Sequence, residues 1–141
     1  MQVVNFEADK SVRVAPSTSC STLPRIVDRL AKSTDGNVAV RLSGIIRDLE
    51  LRSVPAQAIP VSVLTDAIRA QMRFLLGRVN AILVGFRQGP NAQGVGALGL
   101  HLHGLTKSKA AGGHVLSCKT GPRVLLGVEQ TKGAVIYMPR N

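Results

Sequence analysis

Three histidines and a cysteine, His101, His103, His114 and Cys118, fall within eighteen residues of a 141-residue chain that has no other histidine and only one other cysteine. Imidazole and thiolate are the side chains that hold zinc or copper, and a thiolate beside an imidazole is also the minimal nucleophile–base pair. Whether these four groups meet depends on strand geometry. In a strand, alternate residues point to opposite faces. Leu98, Leu100 and Leu102 then share one face, and His101 and His103 share the other. If a hairpin pairs Leu105 with His114, His103 opposes Leu116 and His101 opposes Cys118. All four groups then lie on one side of a two-stranded ribbon. A slip of one residue sends His114 and Cys118 to the leucine face instead. The four residues match no known ligand spacing, so the simpler reading leaves the histidines structural or solvent-facing. No cofactor is expected on that reading, and zinc is the metal the cluster would take if it assembles.

Other motifs exclude more than they propose. Gly94-Val95-Gly96-Ala97-Leu98-Gly99 satisfies G-x-G-x-x-G, but a strand-like alternation follows it where a dinucleotide fold needs a helix, and the only acid downstream is Glu129. There is no phosphate loop and no G-x-S-x-G elbow. Asp28, Asp35, Asp48 and Glu50 lie on unrelated elements and form no acid–base pair. Cys20 and Cys118 stand too far apart for a metal motif or a disulfide framework, and their small number fits a reducing compartment.

Charge is distributed unevenly. Residues 1–66 are nearly balanced, whereas residues 67–141 carry ten of the eighteen Lys and Arg and only one acid. Such an asymmetry points to an anionic partner. Arg69, Arg73, Arg87, Lys107, Lys109, Lys119, Arg123 and Lys132 are the candidate contacts, several of them at turns. Aromatic residues make up 3% of the chain, which disfavours reading single strands by base stacking. Recognition of an RNA backbone or shape remains.

The elements that must carry these residues are read from periodicity. Gln2–Phe6 and Ser11–Ala15 are short β-like pieces. Leu23, Ile26, Val27 and Leu30 follow a helical stripe, with Pro24 in the first turn. Val38–Leu42 and Ile45–Leu51 alternate as strands around Ser43-Gly44. A second helix is expected over Val63–Leu76, closed by Gly77. Val79–Phe86 is apolar enough to be a central strand. Four strands, Val95–Leu105, His114–Lys119, Arg123–Glu129 and Ala134–Met138, then form a basic meander.

The expected fold is therefore one α+β domain over residues 1–141, with two helices on a mostly antiparallel sheet of about six strands, or that sheet closed into a small barrel. The leading function is non-enzymatic binding of RNA, a ribonucleoprotein or an acidic protein surface. A self-assembling subunit of viral or phage type, forming a homo-oligomer, is the first alternative. A metal or cysteine enzyme built on His101, His103, His114 and Cys118 is the second. With no leader pattern and no apolar run of membrane-spanning length, an intracellular, cytoplasmic location is expected.

Overall fold

The computed structural model describes residues 4–53, 71–93, 96, 98–133 and 135. Its frame is a six-stranded antiparallel sheet with one short helix. In chain order the elements are β1 (Lys10–Val14), α1 (Leu23–Leu30), β2 (Asn37–Ser53), β3 (Met72–Gln88), β4 (Gly99–Thr106), β5 (Gly112–Thr120) and β6 (Val124–Gln130). Single 3-10 turns at Cys20–Thr22 and Pro90–Ala92 complete it.

The sheet runs β1-β6-β2-β3-β4-β5, and β5 returns to pair with β2. β2 is long enough to serve two partners along one edge. Val38–Ser43 pair with β6, and Ile46–Arg52 pair with β5, so β5 and β6 lie end to end rather than side by side. Its other edge pairs with β3 over almost its whole length. The expected meander is thus corrected: of its successive strands, only β4 and β5 form a paired hairpin, and Ala134–Met138 falls largely outside the described residues. The sheet is not a closed barrel, and β1 pairs only through β6.

Two further expectations change. Val38–Leu42 and Ile45–Leu51 are one continuous strand, because Gly44 adopts a φ of 136° and carries the chain through without turning it. The second helix is not borne out. Met72–Leu76 are strand residues paired with Leu49–Ser53, and the expected helix residues before Met72, apart from Gln71, lie outside the described residues. The apolar spacing of Met72, Leu75 and Val79 fits a helix stripe, but sixteen residue pairs with β2 override that local preference. The first strand piece, Gln2–Phe6, is likewise not a strand where it is described.

α1 forms as its stripe demands. Pro24 occupies the first turn, and Leu23 and Val27 are buried against the sheet, with Ile26 and Leu30 packed beside them. The core is aliphatic: Val38, Val40, Leu42, Ile46, Leu49, Leu51, Leu83, Val124, Leu126 and Val128 are buried on the inner face. Among the described residues no helix is long and apolar enough to cross a membrane.

The cysteines do form a framework. Cys20, at the turn before α1, is bonded to Cys118 of β5 across 98 residues of sequence. The segment leading into that turn is independently tied to the end of β5. Thr120 N–H donates to the Thr18 carbonyl at 2.9 Å, Ser17 N–H donates to the Thr120 carbonyl at 2.7 Å, and the Thr120 hydroxyl donates to the Ala15 carbonyl at 2.6 Å.

Two glycines fix the backbone around the histidine strands. A Cβ on Gly85 of β3 would collide with the His101 carbonyl of β4. Gly113, at φ 155°, brings β5 so close to β2 that a Cβ would meet the Arg52 carbonyl.

Replacing Cys20 and Cys118 together by Ser should preserve the fold, because the Thr120 bonds remain. It should lower unfolding free energy by up to about 4.7 kcal/mol, the chain-entropy value for a loop of roughly 100 residues, as read by urea denaturation. Gly85→Ala should cost about 1–3 kcal/mol in the same measurement, through forced separation of β3 from β4.

Candidate functional site

β4 and β5 carry the three histidines. The hairpin pairs His103 with His114, Gly104 with Gly113 and Leu105 with Gly112. This register lies two residues from the expected Leu105–His114 pairing. A shift of two preserves the facing of side chains, so the histidines still converge. His101 Nε2 and His103 Nε2 are 3.1 Å apart. The ring centroids of His101 and His114 are 4.5 Å apart, and those of His103 and His114 are 5.6 Å apart. One ring nitrogen from each histidine can be chosen so that all three lie within 4.8 Å of one another.

Cys118 leaves this group. Arg52 and Leu51 of β2 pair with His114 and Val115, but the next β2 residue, Glu50, pairs with Ser117. Leu116 is thus an extra residue, a bulge that reverses the facing of everything after it. Cys118 therefore points into the core, where it meets Cys20. The expected fourth ligand and the expected cysteine nucleophile are both corrected by this one inserted residue.

Burial and nearby cations favour the neutral forms of His103 and His114. Burial, then the neighbouring His101 and Arg52, lowers the His114 pKa from its ordinary value to about 4. The same causes lower that of His103. Arg52 stands directly across from His114 on the neighbouring strand. Its guanidinium lies 3.5 Å from Gln71 Oε1, the side-chain amide oxygen, and among the described residues no carboxylate pairs with it. Sequence reasoning missed Arg52, which sits in the charge-balanced half of the chain. Nothing in local spacing links it to histidines some fifty residues later.

The residues present suit a metal ion. His114 Nδ1 is buried without a hydrogen-bond partner among the described residues. A nitrogen so placed is satisfied by a hydrogen-bond partner or, through its lone pair, by a cation, and the ring nitrogens of the three histidines lie close enough to share one. Neutral imidazoles are the ligand form, and three of them leave one position open in a four-coordinate site.

The remaining candidates do not come together. Arg73 is engaged by Glu50, Arg87 Nε lies 3.0 Å from Asp28, and Lys119 lies 3.1 Å from Asp48. Lys107 and Lys109 are exposed in the β4–β5 turn, Arg123 in the turn before β6, and Lys132 beyond β6. Arg69 lies outside the described residues. Three of the eight are thus balanced by acids from the other half of the sequence, which a tally by halves hides.

Comparison with known proteins gives the chain named relatives. The sequence model of the family described as alpha-acetolactate decarboxylase matches residues 1–141. A protein of that name from Methanosarcina mazei is 39% identical over 114 residues, which is 81% of this chain and 40% of the relative. One from Klebsiella aerogenes is 32% identical over 71% of this chain and 38% of its own. The chain thus spans about 40% of the length of these relatives. Among solved structures, a Staphylococcus aureus protein described as similar to alpha-acetolactate decarboxylase superposes with a TM-score of 0.85 at 26% identity. That superposition covers 92% of this chain and 55% of the other. The Bacillus subtilis strain 168 alpha-acetolactate decarboxylase gives a TM-score of 0.83 at 22% identity, a likeness of fold.

These relatives are named for an enzyme that acts on a small molecule. That overturns the expectation of a non-enzymatic protein binding RNA, a ribonucleoprotein or an acidic surface, and with it the viral or phage type of the alternative. The basic half was misleading because its cations are dispersed over turns and over ion pairs with acids of the first half. From the full-length family match and the identity to its relatives, this chain belongs to the alpha-acetolactate decarboxylase family.

Proposed function

We propose that the chain, acting as one domain, carries the metal-binding part of a decarboxylase for alpha-acetolactate, a 2-hydroxy-3-oxo acid, with zinc held by His101, His103 and His114. The observation that supports this most is the convergence of three imidazole nitrogens within 4.8 Å in a chain that matches the family throughout. Three nitrogen ligands and an open position are the donor set of a catalytic rather than a structural zinc. Bound there, the ion supplies Lewis acidity that draws electrons from the substrate's oxygens.

The chain's own groups do the remaining work. Arg52, with no carboxylate partner among the described residues, is placed to receive the substrate carboxylate beside the histidines. Fixing that group sets the orientation of the carbon–carbon bond to be broken. When CO2 leaves, the bonding electrons pass to the neighbouring carbonyl and a proton is added at carbon. Val84 and Phe86 of β3 stand directly opposite His103 and His101 and give the site an apolar flank that limits water. Low pKa values on His103 and His114 keep these rings free of protons that would compete for the metal.

Chain purified without a histidine tag should contain about one zinc per molecule, as a catalytic three-histidine site would. It should release CO2 from alpha-acetolactate. His103→Ala should weaken zinc binding by more than the roughly 10–100-fold that loss of an outer-shell partner costs, and should abolish turnover. A metal-free protein with undiminished activity would overturn the reading.

The metal-free chain should also show a defined pH dependence. In the folded state His114 stays neutral down to about pH 4, whereas unfolded histidine takes up a proton below about pH 6.5. The unfolded state thus binds more protons in that window, and stability should fall as pH is lowered from about 6.5 toward 4, with no such loss above it. Thermal melting across that range should show the decline, and His114→Gln should flatten it.

A further inference from the structure

Five cations outside the histidine trio share its outer face in two ordered rows. In one, Arg73 of β3 stands opposite Arg52 of β2, which stands opposite His114 of β5. In the other, Arg78 of β3 stands opposite Arg47 of β2, which stands opposite Lys119 of β5. Between the rows lie Leu75, Glu50 and Ser117, paired in the same order. Like charges directly opposite one another destabilise a sheet, so two such rows in succession are not what packing alone selects.

The acids on this face offset only part of the charge. Glu50 holds Arg73 and accepts from the Ser117 hydroxyl at 3.3 Å, and Asp48 holds Lys119. Arg47 and Arg78 are exposed and, among the described residues, have no carboxylate partner. They share the face of Arg52 and Arg73 because the unpaired Asp48–Gly77 step, with Asp48 at φ 48°, breaks the alternation, leaving Ile46 and Leu49 both buried. They lie five positions from Arg52 and Arg73, about 16 Å along the strands. That is too far to touch a ligand at the histidines, yet within one Debye length at low ionic strength, which is about 30 Å at 0.01 M.

We propose that Arg47 and Arg78 steer an anionic substrate along the outer face of β2 and β3 toward Arg52 and the histidines. The inference rests on the functional reading above and deepens it, by assigning recognition of the carboxylate to two stages. The far row raises the local concentration of small monocarboxylates, and Arg52 receives them. Arg47 and Arg78 take no part in the chemistry. Their effect is one of field, so it must vanish when salt screens it.

The test uses the full zinc-loaded chain and 2-hydroxy-2-methylbutanoate, which keeps the hydroxyl and carboxylate but lacks the keto group needed to lose CO2. Its affinity is measured by calorimetry for the unmodified chain and for Arg47→Gln/Arg78→Gln. The double variant should bind about two- to fivefold more weakly at an ionic strength of about 0.01 M, and equally at about 0.5 M, as a screened interaction over this distance requires. Equal affinity at low salt would overturn the steering role while leaving the histidine site standing. A deficit that persists at high salt would also overturn it, by showing that the substitutions damage structure. Absence of binding by the unmodified chain at both salts would overturn the steering role and the substrate reading together.

Discussion

β2 is the constraint on which the rest of the structure depends. Seventeen residues long, it pairs with β3 along almost all of one edge and with β6 and then β5 along the other. Backbone donors and acceptors in a buried strand must be paired, so the length of β2 dictates that two separate strands be recruited to one edge. That recruitment carries β5 away from β6 and lays it beside the second half of β2. There His114 comes opposite Arg52, a residue distant in sequence. The site is a consequence of how one strand's hydrogen bonds are satisfied.

Within that frame a single inserted residue divides chemistry from structure. Before Leu116, β5 presents His114 to the outer face. After it, β5 presents Cys118 to the core, where the bond to Cys20 ties the entry of α1 to the sheet. Had β5 run without a bulge, the thiol would stand on the histidine face, available to oxidise or to take a metal of its own. The bulge keeps the imidazoles as a set of one ligand type, which is the set expected of a site with an open position.

The outer face is correspondingly electrostatic and the inner face aliphatic. Cations from β2, β3 and β5 are ordered into rows by strand register, and among the described residues Glu50 engages Arg73 and Asp48 engages Lys119. Burial first, and then the neighbouring His101 and Arg52, lowers the pKa values of His103 and His114 and so favours the neutral form of those two rings.

Local pattern determined what local physics can determine. The stripe Leu23, Ile26, Val27, Leu30 specified α1, the apolar run Val79–Phe86 a strand inside the sheet, and the alternation around His101 and His103 a shared face for those two rings. Each depends only on the 3.6- or 2-residue period of one element. Tertiary structure decided the rest. Met72–Leu76 became strand because pairing with β2 outweighs a helix-like spacing. His114 joined the other histidines through a register set by Gly104 and Gly113, and Cys118 left them through a bulge visible only once β5 is laid on β2. Arg52 entered the site, and the basic half lost its meaning as a polyanion surface, because side-chain partners came from strands far apart in sequence. Cross-strand register is a property of two segments at once, and no reading of either segment alone contains it.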